Sequence, residues 1–230
     1  MMTSKRYLRH LATAGITLLV TTGLALAGAH TWTVNEVFSN SCGSIQFIEL
    51  KECCGGNFEQ GAPGHNVTSN TNSYLMPGGA LPPNTANKTL LYATPACAAL
   101  PGFPTPDGVI PAGSVPFFSV NGDSVSYFPY NTLTFGPGVC PTDGIHSLGP
   151  SLVVGVNSPK NYAGTTISID VSCALKGDVN NNGVRDGDDV AAFVRAKLGT
   201  PNAGDNVFCA DYCTGNLDGD VAAFVNDLLS

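Results

Sequence analysis

The sequence predicts an all-β sandwich over residues 28–173, followed by a small all-α calcium-binding module over residues 177–230. Two observations support this division. The first part consists of short alternating apolar runs between clusters of Gly, Pro and Asn, which is typical of an antiparallel sandwich. The second part repeats an acidic loop followed by an amphipathic helix, and each copy needs the other to bury its apolar side.

Seven apolar runs of the first part are predicted strands. They cover residues 31–37, 45–50, 89–93, 115–120, 124–128, 152–156 and 165–171. Asn121-Gly122 is a strong hairpin signal, and it would pair the aromatic residues at 117–118 with those at 127–130. These aromatic side chains fit either core packing or an exposed face that stacks on sugar rings.

The acidic loop at 178–189 has the ligand spacing of a calcium-binding EF-hand loop. Oxygen-bearing side chains occupy positions 1, 3, 5, 9 and 12, and Gly183 at position 6 allows the sharp turn. Position 7 contributes its main-chain carbonyl. The predicted calcium ligands are Asp178, Asn180, Asn182, Val184, Asp186 and Asp189. Hard oxygen ligands in this number favour Ca²⁺ over a transition metal.

An amphipathic helix is predicted directly after this loop. Val190, Phe193 and Val194 fall at i, i+3 and i+4, as on one face of a helix. The same pentapeptide, Val-Ala-Ala-Phe-Val, recurs at 221–225, again after an aspartate. The two identical apolar stripes are expected to pack against each other. No helix is predicted before the first loop, in contrast to an ordinary EF-hand.

The loop sequence Gly-Asp-Val-Asn-Asn-Asn-Gly at 177–183, Asp189 and the duplicated pentapeptide resemble type I dockerin domains. The resemblance implies a small module that folds on calcium binding and plugs into a cohesin domain of a scaffold or cell surface. Such modules are most familiar on secreted polysaccharide-degrading enzymes. The residues that the resemblance places toward the partner are Gly187, Asp188, Val190, Phe193, Val194, Val221, Phe224 and Val225. Gly187 and Asp188 replace the hydroxyl pair common in cellulosomal dockerins, which argues against a standard cohesin as the partner.

The second loop departs from this pattern. Between Asp211 and Asp220 it is two residues shorter than the first loop, and Cys213 stands where an oxygen ligand is expected. Its candidate ligands are Asp211, Asn216, Asp218 and Asp220. We therefore expect a weak or vacant calcium site, with a Cys209–Cys213 disulfide as one way of holding the loop.

Residues 1–27 have the features of a secretory signal peptide. Three basic residues precede a short apolar core at 16–24, and Ala-Leu-Ala at 25–27 fits the small-x-small cleavage rule. A membrane anchor is the alternative, but the apolar core is too short and too rich in Thr and Gly to span a bilayer. No second stretch approaches spanning length. The mature chain is expected to be extracellular or at the cell surface.

All eight cysteines lie after residue 27, and an even number in a secreted chain predicts a disulfide framework. Adjacent Cys53 and Cys54 are expected to pair with different partners, and Cys173 would bridge back into the sandwich. A zinc site is disfavoured because no Cys-x-x-Cys pair occurs. The net charge of −7 becomes −10 once the three basic residues of the signal are removed, which argues against nucleic-acid binding.

The segments Trp-Thr-Val-Asn-Glu-Val at 32–37 and Phe-Ile-Glu-Leu at 47–50 resemble the opening strands of lamin-tail domains. Those domains are immunoglobulin-like sandwiches that bacteria attach to secreted proteins. Glu36 and Glu49 would then lie on neighbouring strands, which raises the alternative of a glycosidase carboxylate pair. Because apolar residues flank both, we interpret them as solvent-facing residues of half-buried strands. No nucleophile-elbow or zinc-protease motif occurs.

The sequence thus predicts a secreted, non-catalytic protein that a calcium-folded, dockerin-like module attaches to a cohesin-like or cell-surface scaffold. The alternative is a dockerin-tagged polysaccharide-degrading enzyme or carbohydrate-binding protein. In that case Glu36 and Glu49, or Phe118 and Tyr127, would line one open groove. A third possibility is a calcium-stabilised spacer without a partner.

Overall fold

The computed structural model describes residues 28–230, so the signal peptide predicted at 1–27 lies outside the described residues. The strands are β1 (Trp32–Ser39), β2 (Gln46–Glu52), β3 (Asn66–Thr68), β4 (Ser73–Leu75), β5 (Thr89–Ala93), β6 (Gly108–Val109), β7 (Asp123–Phe128), β8 (Asn131–Phe135), β9 (His146–Leu148) and β10 (Val154–Val156). The helices are α1 (Pro95–Ala98), α2 (Asp189–Lys197) and α3 (Leu217–Leu228). Within residues 28–230, every helix falls short of the length and apolarity that crossing a membrane requires.

The strands form two sheets. The larger sheet has six strands in the order β10-β9-β1-β2-β5-β6, and the smaller has four in the order β4-β3-β7-β8. Strands β5 and β6 pair in parallel, whereas the remaining pairs are antiparallel. The large sheet is built on the β1–β2 ladder, in which a bulge shifts the register and places Glu36 opposite Glu49.

The two sheets pack face to face over a common core. Trp32, Leu50 and Tyr92 of the large sheet join Tyr127 and Phe135 of the small sheet in one buried cluster. Alternate residues of a strand point to the same face, so each strand contributes every second side chain to this core. Removal of these large side chains from water is the main stabilising contribution to the sheet domain.

The outer face of the large sheet is covered as well. Phe38 and Phe47 stack there with their ring centroids 5.3 Å apart, and Ile169 and Val171 pack over them. Half-buried Phe208, from the C-terminal segment, packs against the same cluster. The C-terminal segment therefore lies against the sheet domain.

Residues 177–230 have a small core of their own. The Phe193 ring of α2 and the Phe224 ring of α3 stack in parallel with their centroids 4.1 Å apart. Val179 and Cys209 complete this buried cluster. The duplicated pentapeptide thus supplies the two rings at the centre of the segment.

The fold class predicted from the sequence is wrong. The described chain is mixed, with ten strands in two sheets and three α-helices, of which α1 lies between two strands of the large sheet. An all-α dockerin-like module is not shown, because beyond residue 177 only the 9 residues of α2 and the 12 of α3 are α-helical. The loops between them are rich in Gly, Asn and Asp, which favour turns and caps over helix interiors.

Residues 115–120, predicted as a strand, form a loop in which Phe117 and Phe118 are buried. Pro116 cannot donate a main-chain hydrogen bond to a sheet ladder. The side-chain amide of Gln46 supplies the missing bonds: its Oε1 accepts from the Phe117 N–H at 2.7 Å, and its Nε2 donates to the Phe118 carbonyl at 2.8 Å. The predicted hairpin at Asn121 is also wrong, since β7 pairs with β8 instead.

Residues 165–171, the second segment wrongly predicted as a strand, also bond to a side-chain amide. The Oδ1 atom of Asn157 accepts from the Ile169 N–H at 2.8 Å, and its Nδ2 donates to the Ile169 carbonyl at 2.7 Å. A single buried amide therefore satisfies the main-chain groups that a neighbouring strand would otherwise pair.

Six of the eight cysteines form disulfides. The pairs are Cys42–Cys213, Cys53–Cys54 and Cys173–Cys209, while Cys97 and Cys140 are free and buried. The predicted Cys209–Cys213 bridge is wrong, as are separate partners for Cys53 and Cys54 and a bridge from Cys173 into the sandwich. Instead Cys42, which follows β1 in the chain, reaches Cys213 and ties the sheet domain to the second loop.

Candidate calcium site and docking face

The first loop is folded around the side chain of Asp178. Its Oδ1 accepts the N–H of Asn182 at 3.0 Å, and its Oδ2 accepts the N–H of Gly183 at 2.9 Å. Gly183 has φ +88°, a left-handed conformation that favours glycine and makes the sharp turn at position 6. The aspartate at position 1 thus organises the middle of the loop.

Asp189 closes the loop from the first residue of α2. Its Oδ1 accepts the N–H of Asn180 at 3.0 Å, and its Oδ2 accepts the N–H of Asp186 at 3.0 Å. The last predicted ligand is therefore tied to two earlier positions that are also predicted ligands. An acidic side chain here is also favoured by the positive end of the α2 dipole.

The remaining predicted ligands line the same loop. The side-chain oxygens of Asn180 and Asn182 accept main-chain N–H groups two residues further on, at 3.1 and 2.8 Å. The Oδ1 of Asp186 accepts the N–H of Asp188 at 2.9 Å. These bonds leave further lone pairs on every one of these oxygens, so they do not exhaust the acceptors that a cation would use.

The first loop carries buried negative charge without a counter-charge. Asp178 is 4% exposed and Asp189 is 0% exposed. Neither carboxylate belongs to any of the four ion pairs of the described residues. Buried charges are normally paired or bound to a metal, because burying an isolated carboxylate is costly. The loop's oxygen donors and unpaired charge fit a hard cation such as Ca²⁺.

A cluster of three side chains of metal-ligand type lies outside the first loop. This group consists of Cys42, Asp211 and Cys213. Within residues 28–230, these are the three His, Cys, Asp or Glu side chains whose ligand atoms all lie within 4.8 Å of one another. The two sulfurs form a disulfide, and metal binding requires a thiolate, so this group does not fit a metal site. The first loop does not form such a group, because the carboxylate oxygens of Asp178, Asp186 and Asp189 do not all lie within 4.8 Å of one another in the described residues.

The second loop is arranged differently. The Oδ2 of buried Asp220 lies 2.5 Å from the Lys197 ammonium, and its Oδ1 accepts from the Thr214 hydroxyl at 2.7 Å. Burial alone would raise the pKa of Asp220, but the bonds from Lys197 and Thr214 lower it below the ordinary value. A tethered ammonium therefore balances the charge of the residue that corresponds to Asp189.

The other predicted ligands of the second loop do not converge on one point. Asp211 Oδ1 accepts the Cys213 N–H at 3.0 Å, and its carbonyl accepts from the Lys176 ammonium at 2.7 Å. Asn216 is exposed and caps α3 by accepting the Gly219 N–H at 2.8 Å. Asp218 is also exposed. In the described residues, the second loop thus binds the ammonium groups of Lys176 and Lys197, and its predicted ligands do not surround a common point.

Each helix of the C-terminal segment has one buried ring and an exposed apolar stripe. Phe193 and Phe224, two of the predicted partner-facing residues, are only 4% and 3% exposed and belong to the core. The valines of the pentapeptides face solvent, with exposures of 41–48%, and Leu198 and Leu229 extend the stripes. The exposed stripes are Val190, Val194 and Leu198 on α2, and Leu217, Val221, Val225 and Leu229 on α3 and the residue after it.

Glu36 and Glu49 are buried, which contradicts their interpretation as solvent-facing residues. Both lie under the segment that follows β10: Glu36 Oε1 accepts from the Ser158 N–H at 2.8 Å, and Glu49 Oε2 accepts from the Lys160 N–H at 2.7 Å. Burial and the neighbouring Glu36 carboxylate raise the pKa of Glu49 to about 7. The two carboxyl groups fasten this segment to the sheet. They line two different surface pockets and so do not share one open groove.

Phe118 and Tyr127, two of the aromatic candidates for sugar stacking, are core residues. Phe118 is 1% exposed and Tyr127 is 0% exposed. Phe128 and Tyr130, next to them in the chain, are 59% and 38% exposed. The residues proposed to form an aromatic groove therefore fill the space between the sheets.

Comparison of the chain with protein-family models, curated proteins and solved structures gives no match in any of the three. Sequence reasoning missed Lys197, Lys176 and Cys42 as parts of the second loop. Lys197 carried one signal, its place seven residues after Val190 on the predicted apolar face of α2, but nothing local linked it to Asp220.

Proposed function

We propose that residues 177–230 bind one calcium ion in the first loop and use the two helices to attach a secreted sheet domain to a partner protein. The observation that carries this proposal is the pair of buried aspartates, Asp178 and Asp189, without a counter-charge. Calcium would be held by the six predicted oxygen ligands of the loop. When bound, it supplies the positive charge that the two buried carboxylates lack, since Arg185, the cation of the loop, is paired with Asp227.

The role of the ion is structural. Asp189 belongs both to the loop and to the first turn of α2, so neutralising it couples the loop to the helix. The Phe193 ring on α2 then stacks on Phe224, which fixes α2 against α3. Calcium binding is in this way linked to the orientation of both helices.

The exposed valine and leucine stripes are the proposed docking face. Soluble chains seldom leave two exposed apolar stripes in water unless another surface covers them. Amphipathic helices that lay an apolar face into a hydrophobic groove are a common recognition mode. The resemblance to dockerins favours a cohesin-like or cell-surface scaffold protein as the partner, and the three disulfides support an oxidising, extracellular setting.

Calorimetric titration of residues 28–230 with calcium tests the metal site. We expect one ion per chain, loss of binding in Asp178→Ala, and unchanged stoichiometry in Asp220→Ala, because Lys197 already neutralises Asp220. The control is Asp205→Ala, which removes a carboxylate paired with Arg195 outside the loop. Absence of heat with the wild-type chain, or binding that survives Asp178→Ala, would refute the calcium site.

Binding to a recombinant type I cohesin tests the docking face. Val194→Asp and Val225→Asp place charges in the two stripes at exposed positions, so they should abolish capture without unfolding the chain. Val109→Asp, an exposed valine of strand β6, is the matched control. If the wild type binds and both stripe variants bind equally well, the stripes are not the docking face.

A further inference from the structure

Strand β10 is an exposed apolar edge of the six-stranded sheet. It is the outermost strand, next to β9, and the residues from 151 to 156 are all exposed. The large side chains here are Leu152, Val153, Val154 and Val156, with exposures of 42%, 64%, 52% and 60%. Exposed apolar residues rarely concentrate in this way on a soluble protein unless they meet a partner.

The outer edge of this strand also has free main-chain groups. The Gly149 N–H donates to the Val153 carbonyl, and the Asn157 N–H donates to the Ile145 carbonyl, so residues 153, 155 and 157 face β9. In an antiparallel ladder the residues between them point their N–H and C=O groups to the other side. The N–H and C=O groups of Val154 and Val156 therefore point outward, away from β9. Within residues 28–230, none of these four main-chain groups has a hydrogen-bond partner.

Natural sheets protect such an edge with charges, prolines or bulges. From Pro150 to Pro159 the sequence is Pro-Ser-Leu-Val-Val-Gly-Val-Asn-Ser-Pro, without a charged residue. The two prolines flank the exposed strand but lie outside it. The edge thus keeps both its apolar side chains and its unpaired groups available for another strand.

We propose that this edge pairs with the same edge of a second copy of the chain. If the two strands pair antiparallel about a twofold axis at Gly155, Val154 of each copy lies opposite Val156 of the other. The outward-facing residues of the two copies then meet, and all four free groups of each strand can bond. Valine lies opposite valine, a favourable cross-strand pair, and glycine at the axis removes any clash.

Charge also favours a second copy as the occupant. Of the 17 acidic residues of the chain, nine lie within 177–230, and the edge itself has none. Two net-negative copies can therefore meet here without direct repulsion at the contact. The edge is short, and its side chains cover much less than the roughly 1,200–2,000 Å² of a standard interface, so the dimer is expected to be weak, with a Kd within the range of about 1 to 500 µM.

Sedimentation equilibrium of residues 28–230, at saturating calcium and over about 1 to 500 µM protein, tests the proposal. We expect a reversible monomer–dimer equilibrium. Val154→Lys should weaken it at least tenfold, because it places two charges in the contact. Val154→Pro should do the same by removing an outward N–H group, while leaving the β9 side of the ladder intact.

Two controls make the result specific. Val109→Lys changes an exposed valine on β6, the opposite edge of the same sheet, and should leave the dimer unchanged. Val194→Lys changes the α2 stripe and should also leave it unchanged. A wild type that stays monomeric over the whole range overturns the proposal, as does a dimer that Val194→Lys dissociates and Val154→Lys does not.

Discussion

The two loop–helix repeats of the C-terminal segment share a pentapeptide but balance their acidic side chains by different means. The first loop holds Asp178 and Asp189 among main-chain N–H groups, and within residues 28–230 neither carboxylate forms an ion pair. In the second loop Asp220, which corresponds to Asp189, is paired with Lys197 at 2.5 Å. We propose that the first repeat takes its cation from solution, whereas the second pairs its aspartate with Lys197 of the chain itself.

The difference shows how a duplicated site can lose its ion and keep its fold. Lys197 belongs to α2, so the first repeat supplies the charge that stabilises the second. Cys213, at a position where a ligand oxygen is expected, is bonded to Cys42 of the sheet domain. A covalent bond and an ammonium group together hold the second loop in the way that we propose calcium holds the first.

The largest expected effect comes from removing the Cys42–Cys213 disulfide. It closes a loop of 171 residues, for which the chain-entropy account gives roughly 5 kcal/mol and typical losses are 2–5 kcal/mol. We expect the Cys42→Ala/Cys213→Ala double variant to lose stability in urea unfolding while still binding one calcium ion. The matched variant Cys173→Ala/Cys209→Ala opens a loop of only 36 residues and should lose less. Loss of calcium binding with Cys42 and Cys213 replaced would show that the two loops are not independent.

The sequence predicts strands well where side-chain alternation is local. Runs at 31–37, 45–50, 89–93 and 124–128 correspond closely to β1, β2, β5 and β7. Strands of two or three residues, such as β3 and β6, leave too short a pattern to detect. The two false strands fail for a different reason: Gln46 and Asn157, distant in the chain, satisfy their main-chain groups with side-chain amides.

The two loops of the candidate site differ in the same way: one depends on local spacing and the other on contacts between distant residues. The first loop depends on spacing within twelve residues, so its six ligands could be predicted from the sequence, and their binding of calcium stays a prediction. The second loop depends on contacts over longer separations, with Lys197 at 23 residues from Asp220 and Cys42 at 171 residues from Cys213. Periodicity also suggested that the whole pentapeptide stripe is buried, whereas the helices bury Phe193 and Phe224 and expose the valines.

An intermediate effect is expected from Lys197→Met, which tests whether the built-in cation replaces calcium. The change keeps the apolar stem of the side chain but leaves Asp220 without a charged partner. Its side chain and that of Asp220 are only 20% and 10% exposed, so we expect a loss of about 1–3 kcal/mol in urea unfolding. The double variant Lys197→Met/Asp220→Asn should recover part of it. A single variant as stable as the wild type would mean that the ammonium contributes nothing to the second loop.

The smallest effect is a pH dependence that belongs to the second loop alone. Because Lys197 and Thr214 lower the pKa of Asp220 below its ordinary value, the stabilisation is present above pH 4 and is lost as the pH falls through the folded-state pKa. In calcium-free buffer, we expect Asp220→Asn to be less stable than the wild type at pH 6 by about 1 kcal/mol or less, and the two to converge under strongly acidic conditions. Asp218→Asn, at an exposed position without an ion pair, should follow the wild-type curve. If the Asp220→Asn and wild-type curves stay parallel from pH 6 downward, then the aspartate is not charged against Lys197, and the contrast between the two loops needs another cause.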